Sequence, residues 1–169
     1  MDDIVKAALA KWPNVPDCRG WLGLDARGDW YMRDDACQRA GAFPHPKGSR
    51  IEHSKLLAFI GRNYAADEHG AWFFQNGPQR VYVVLEATPW VLRLWPDGSV
   101  RTHTDLPVTV LGALADEDGW LYLHTNLGLG LVHTQDMGVA ADRLEAGDWP
   151  LSSTTRAELP TRFGYLQRP

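Results

Sequence analysis

The sequence contains few of the features that mark membrane-bound or secreted proteins. It has only two cysteines, Cys18 and Cys37, which form no C-x-x-C pair. No apolar run approaches the roughly 18 residues that a membrane-spanning helix needs. The amino terminus opens with acidic residues rather than the basic start of a secretory signal. We therefore expect a cytoplasmic protein with reduced thiols and no membrane partner.

The charge balance argues against binding to duplex nucleic acid. The net charge is −4 at pH 7, and a surface of that sign repels phosphate backbones unless its basic residues cluster. Hydrophobic residues make up 44% of the 169 residues and charged residues 22%, which is the composition of an ordinary globular protein with a core. We expect a single domain spanning residues 1–169.

Motifs for catalysis are also missing. There is no G-x-S-x-G nucleophile motif, and Gly128-Leu129-Gly130 lacks the third glycine and the βαβ context of a dinucleotide fingerprint. The adjacent acids at 34–35 and 116–118 lie in predicted turns, where solvated carboxylates are the ordinary interpretation. We predict no catalytic residue and no cofactor, and we favour a protein that is not an enzyme.

An internal repeat dominates the rest of the chain. Three segments that begin at Asp25, Asp67 and Asp116 each place glycine three residues later and, after one further residue, a stretch that contains aromatic residues. Aspartate bonds its own turn, glycine supplies the positive φ, and the aromatic run becomes the outgoing strand. Residues 75–77 also correspond to residues 124–126. The pattern predicts hairpin units duplicated in two halves, near residues 20–90 and 91–135.

Helical spacing of apolar residues predicts three packed helices. One covers residues 2–12, one follows the plausible cap Ser54, and one covers residues 136–146. Residues 150–161 show no regular pattern, and Phe163 to Gln167 are expected to add an edge strand or cover the core. The fold class is therefore α+β, with antiparallel sheets built from repeated hairpins.

Aromatic and amide side chains around two turns form the predicted ligand site. Amides and a guanidinium can bond a phosphate or a base edge, and indole rings can stack on a flat ring. In the ordinary alternative, the amides bond their own turns and Arg80 is a solvated charge or pairs with Glu86. The predicted ligand residues are Trp72, Gln75, Asn76, Gln79, Arg80, Trp90, Thr125 and Asn126. The partner we expect is a small anionic or aromatic molecule, or a protein, held between the two repeats.

Two alternatives stand beside this binding module. Three His-Thr pairs supply His103, His124 and His133, which would serve a metal-dependent enzyme if their rings converged. Their spacing matches no established ligand pattern. The other alternative is a scaffold whose amino-terminal helix or an edge strand binds another protein.

Several segments resemble a group of proteobacterial proteins classed as a domain of unknown function. The resemblance covers residues 25–135 and rests on segments 48–51, 56–57, 67–72, 86–90 and 123–128. It implies a β-rich fold with a duplicated motif, whose second half is superficially similar to a pleckstrin-homology barrel. It further implies a nucleotide-like ligand between the halves and a signalling role, but no catalytic residues. The chain departs from that group at residues 76–79, where the group carries a carboxylate.

Overall fold

The computed structural model describes all residues from Met1 to Pro169. The chain divides into two compact units, which are described separately below. Unit 1 comprises residues 1–25, 29–86 and 165–169, and unit 2 comprises residues 26–28 and 87–164. None of the helices has the length and apolar character that a membrane crossing requires.

Unit 1 holds a six-stranded sheet with three helices. The sheet has the order β3-β2-β1-β6-β5-β4, in which β1 and β6 are parallel and every other neighbouring pair is antiparallel. Its elements are α1 (Asp3–Lys11), β1 (Cys18–Leu24), β2 (Trp30–Met32), α2 (Asp35–Ala40), β3 (Ser49–Arg50), α3 (Ser54–Arg62), β4 (Tyr64–Ala66), β5 (Trp72–Asn76) and β6 (Gln79–Leu85).

Unit 2 holds a second six-stranded sheet with two helices. The sheet has the order β12-β9-β10-β11-β7-β8, in which the β11–β7 and β12–β9 pairs are parallel. Its elements are β7 (Trp90–Leu94), β8 (Val100–Thr102), β9 (Val110–Ala115), β10 (Leu121–Thr125), β11 (Gly128–Val132), α4 (Met137–Glu145), β12 (Leu151–Ser153) and α5 (Leu159–Phe163).

The two sheets repeat one topology. In each, a hairpin is followed by a three-stranded meander whose last strand returns to pair in parallel with the first strand of the hairpin. The strands thus correspond in chain order: β1 to β7, β2 to β8, β4 to β9, β5 to β10 and β6 to β11. Phe73 of β5 pairs with Tyr82 of β6, and Tyr122 of β10 pairs with Leu131 of β11. Phe73 therefore corresponds to Tyr122, and Gln75, two residues later, corresponds to His124. The predicted duplicated, β-rich α+β fold is confirmed.

Aspartate and glycine build the corresponding turns as the sequence predicts. Gly70 and Gly119 have φ values of 82° and 79°. The Asp67 carboxylate accepts the amides of His69 and Ala71, each at 2.9 Å. In unit 2 the Asp116 carboxylate accepts the two equivalent amides at the same distance. These local bonds explain why a short sequence pattern suffices to specify each corner.

Several structural expectations need correction. The sheets are mixed rather than antiparallel, because strands from distant parts of the chain pair in parallel. There are five α-helices rather than three, since α2 and α5 are too short to show helical periodicity. Residues 150–161 are not irregular, as they contain β12 and the start of α5. All three β12 residues are exposed, so no alternation of apolar residues marked this strand.

Candidate functional site

The predicted ligand amides of unit 1 bond mainly to their own surroundings. Gln75 Nε2 donates to the Gly77 carbonyl at 3.0 Å, and Gln79 Nε2 donates to the Pro16 carbonyl at 3.2 Å. Gln75 is buried, and its Oε1 has no hydrogen-bond partner within the protein. The Asn76 side chain lies at an exposed position at the end of β5. Two of the three amides therefore stabilise the chain around the turn.

Arg80 differs from these amides because it has no carboxylate partner. Its guanidinium carbon lies 3.9 Å from the centroid of the Phe73 ring, and its Nη1 donates to the Tyr82 hydroxyl at 3.4 Å. Glu86, the structural partner considered from sequence, lies instead 3.8 Å from the Lys47 ammonium. Trp72 is half-buried, with its ring 4.8 Å from that of Tyr64.

The predicted ligand residues of unit 2 lie around the turn between β10 and β11. Trp90 is buried and its Nε1 donates to the Leu127 carbonyl at 2.9 Å. Thr125 Oγ1 donates to the Gly128 carbonyl at 2.8 Å, and Asn126 Oδ1 accepts the Thr109 amide at 2.8 Å. These polar groups hold the turn together. A ligand shared with the turn of unit 1 stays a prediction.

The structure does not bring the three histidines into one site. His103 Nδ1 accepts the Val91 amide and His133 Nδ1 accepts the Gln135 amide, both at 3.1 Å. His124 packs instead against Phe163, with ring centroids 5.1 Å apart. No group of three or more histidine, cysteine, aspartate or glutamate side chains is placed to hold a metal ion.

A different site emerges on the face of the unit 2 sheet. It is a cleft of about 710 Å³, a volume within the range of small-molecule sites. Residues of β9, β10 and β12, which are neighbours in the sheet, form its floor, and α5 forms a wall. The lining residues are Gly112, Ala113, Leu114, His124, Pro150, Leu151, Ser152, Thr161, Arg162, Phe163 and Gly164.

Gly112 leaves space at the floor of this cleft. It lies directly opposite His124 in the β9–β10 register, and its φ is not in the left-handed region. A Cβ built there would meet only Pro150, at an ordinary contact distance of 3.8 Å. Neither strain nor packing therefore requires glycine at this position. Glycine inside a strand often marks a place where a ligand approaches the backbone closely.

The polar groups of the cleft favour an anion. Arg162 supplies a positive charge, His124 an imidazole, and Ser152 and Thr161 supply hydroxyl groups, whereas no acidic side chain lines the cleft. Glu158, which is not part of the lining, lies 3.7 Å from Arg162 in an exposed pair, which is weak in water. This donor-rich lining stands out in a chain whose net charge is −4.

Phe163 adds an aromatic wall to the same cleft. It ends α5, where Gly164 takes a left-handed conformation with a φ of 67° and stops the helix. The Arg162 guanidinium carbon lies 5.4 Å from the centroid of its ring. An anionic group at Arg162 would thus lie beside a surface on which a flat ring can pack.

The equivalent position in unit 1 is closed. Asn63 lies opposite Gln75, because the backbone amide of Gln75 donates to the Asn63 carbonyl. In the strand registers, Asn63 corresponds to Gly112 and Gln75 corresponds to His124. Both residues are only 1% exposed. The Asn63 side chain accepts the Asp2 amide at 2.8 Å and donates to the Phe59 carbonyl at 2.9 Å. In unit 1 the buried, hydrogen-bonded side chain of Asn63 therefore fills the position that Gly112 leaves open in unit 2.

Unit 1 has a groove of another kind, about 300 Å³ in volume, beside α3. Its lining is almost entirely apolar and includes the exposed side chains of Trp21, Met32 and Leu56. Asn76, one of the predicted ligand residues, lies at this groove. Trp21 shows that not every tryptophan belongs to the core, and Trp12 and Trp95 are exposed as well.

Sequence reasoning missed most of the unit 2 cleft. The sequence indicates His124 as a candidate metal ligand and as the counterpart of Gln75, and it predicts only an edge strand or a core cover at Phe163; no motif includes Arg162. These residues come together through the pairing of β12 with β9 and the position of α5, which no local pattern indicates. The one available signal was Gly112 within an apolar strand.

Comparison with known proteins gives a family and a fold. A family described as "Protein of unknown function (DUF2946)" matches residues 1–169. The crystal structure of a DUF1285 family protein from Silicibacter pomeroyi is similar over 84% of each chain, with 13% sequence identity and a TM-score of 0.50. At that identity the likeness concerns the fold alone. No curated protein matches the chain.

Proposed function

We propose that the chain, which belongs to the family described as "Protein of unknown function (DUF2946)", binds a small anion that carries a flat ring, in the cleft of unit 2. A nucleoside monophosphate is one example of this class. The observation that carries the proposal is the donor-rich, acid-free lining around Arg162 and His124, above a floor opened by Gly112. The proposal places the protein in the cytoplasm, where the free thiols of Cys18 and Cys37 would stay reduced.

In this proposal the anionic group of the ligand and its flat ring bind at different places in the cleft. The guanidinium of Arg162 and the hydroxyls of Ser152 and Thr161 can donate to the oxygens of a phosphate or carboxylate. The ring can pack on Phe163, whose other neighbour is His124. The affinity depends on these donors, and the anion would replace Glu158 in its exposed ion pair with Arg162.

The test is an NMR titration of the full chain with two probes, adenosine 5′-monophosphate and phenyl phosphate. Both should shift the backbone amide signals of the β9, β10 and α5 residues that line the cleft. Adenosine, which keeps the ring and lacks the charge, should bind at least tenfold more weakly, as expected for the loss of about 1.5 kcal/mol from charge-assisted hydrogen bonds. The proposal fails if neither probe shifts cleft signals at millimolar concentration.

A matched pair of variants separates the site from general charge effects. Arg162→Gln removes the cationic donor of the cleft and should weaken both probes about tenfold. Arg39→Gln makes the same charge change at an exposed position on α2 in unit 1 and should leave both affinities unchanged. Equal effects of the two substitutions would mean that net charge, rather than the cleft, governs binding.

A further inference from the structure

Two arginines of unit 1 border one aromatic ring without any acidic partner. The guanidinium carbons of Arg19 and Arg80 lie 4.0 Å and 6.0 Å from the centroid of the Tyr82 ring. Neither guanidinium forms an ion pair, and the only hydrogen bond that the two groups make within the protein joins Arg80 to the Tyr82 hydroxyl. Most of their N–H donors are thus available to a ligand.

The aromatic rings hold these guanidinium groups in place. Arg80 also lies over the Phe73 ring, and Phe73 and Tyr82 are both buried, at 4% and 5% exposure. Stacking on a ring fixes the plane of a guanidinium while leaving its edge free to donate. The ordering cost that a flexible surface arginine meets on binding is therefore reduced before any ligand arrives.

Unit 2 shows what a purely structural arginine looks like at the related turn. Arg156 lies 4.3 Å from the centroid of the Trp120 ring, so it too is stacked. Unlike the arginines of unit 1, it lies 3.3 Å from the Asp116 carboxylate and 2.8 Å from that of Asp118. Its charge is neutralised within the fold.

The acid of the unit 1 turn is differently engaged. The Asp67 carboxylate accepts the Tyr82 hydroxyl at 3.1 Å and two amides of its own turn, and it forms no ion pair with either arginine. At β6 the positions of Arg80 and Tyr82 correspond to Leu129 and Leu131 in unit 2. The pair of cations is therefore a property of unit 1 alone.

We propose that Arg19 and Arg80 form a binding site for the phosphate group of a small molecule. Two guanidinium groups beside one ring suit a dianionic oxyanion, because each can donate two parallel hydrogen bonds to its oxygens. This site is separate from the cleft of unit 2 and does not depend on it. Two guanidinium groups and one carboxylate, that of Asp67, contact Tyr82, so cations outnumber acids at this ring.

Arginine side-chain NMR signals test this site directly, with inorganic phosphate as the probe. The Nε–H signals of Arg19 and Arg80 should shift in a saturable way, whereas that of the exposed Arg39 should not. Acetate, a monoanion of similar size, should bind more weakly than phosphate. A linear, unsaturable response equal to that of Arg39 would overturn the proposal, since it would mean non-specific screening only.

Substitutions distinguish binding from a covering role over the rings. Arg19→Gln and Arg80→Gln should each weaken phosphate binding about tenfold, while Arg39→Gln leaves it unchanged. Arg80→Lys keeps the charge but loses the planar fork, so its affinity should be intermediate. Urea unfolding of each variant reports stability separately. If the variants lose stability but bind phosphate as tightly as the parent protein, the arginines only cover the rings and the proposal is wrong.

Discussion

Units 1 and 2 share a backbone plan but differ at two corresponding places. Asn63 and Gln75 close the sheet face of unit 1 with buried amides, whereas Gly112 and His124 leave the same face of unit 2 open as a cleft. Arg19 and Arg80 of unit 1 form no ion pair, whereas Arg156 of unit 2 pairs with Asp116 and Asp118.

The differences teach that duplication preserved the framework and not the chemistry. The hairpin and meander need only strand pairing and the aspartate-glycine corners, and both units retain these features. Side chains that point away from the corners were free to diverge, so each unit offers a different surface to ligands. The function of each unit therefore depends on its own site and not on the shared fold.

The largest expected effect concerns the two turn aspartates. Asp116 has a fully buried side chain that accepts the Tyr122 hydroxyl at 2.8 Å and pairs with Arg156, so Asp116→Ala should cost about 3 kcal/mol of unfolding free energy. Asp67 is less buried and has no ion pair, so Asp67→Ala should cost about 1 kcal/mol. Urea unfolding followed through resolved amide signals of each unit measures both values. Equal losses would break the contrast between the turns.

Acid should reveal how much stability the Asp116 carboxylate contributes to unit 2. Burial alone would raise the pKa of the Asp116 carboxyl, but hydrogen bonds from Tyr122 and two amides, together with Arg156, lower that pKa below its ordinary value of 3.8. A group with a lowered folded-state pKa stabilises the protein above its unfolded-state pKa, and this stabilisation is lost as the pH falls through the folded value. The stability that Asp116 contributes should therefore be retained down to about pH 4 and be lost below it.

The substitution Asp116→Asn separates the effect of this carboxylate from that of the other acids. Asp116→Asn cannot be protonated, so it should start less stable at neutral pH and lose less on acidification than the parent protein. Unfolding free energies measured by urea at about pH 7 and about pH 3 give the comparison. If parent and variant lose the same amount, Asp116 does not carry the acid sensitivity of unit 2.

The smallest expected effect separates two glycines of unit 2. Gly119 has a φ of 79°, and a Cβ there would meet nothing within 4 Å, so Gly119→Ala should cost about 1 kcal/mol from backbone strain alone. Gly112→Ala introduces neither strain nor a clash and should change the stability by less than about 0.5 kcal/mol. Thermal unfolding gives both values. A large loss for Gly112→Ala would mean that this glycine serves packing rather than an open cleft.

The sequence was sufficient where structure is decided locally. Each corner follows from one aspartate and one glycine, and the correspondence of residues 75–77 with 124–126 emerges from matching turns. Parallel pairing of β6 with β1, or of β12 with β9, was not predicted, because it joins segments far apart in the chain. The cleft depends on that pairing, so Arg162, Ser152 and Gly112 could not be recognised as neighbours beforehand.

The most direct test converts the open floor of unit 2 into the closed floor of unit 1. The double substitution Gly112→Asn and His124→Gln installs the side chains of Asn63 and Gln75 at the corresponding positions. Phenyl phosphate titrated into this variant, with folding checked by its amide spectrum, measures whether the floor decides binding. We expect a folded protein whose cleft signals no longer respond to the probe. A folded variant that binds phenyl phosphate as tightly as the parent protein would contradict the account.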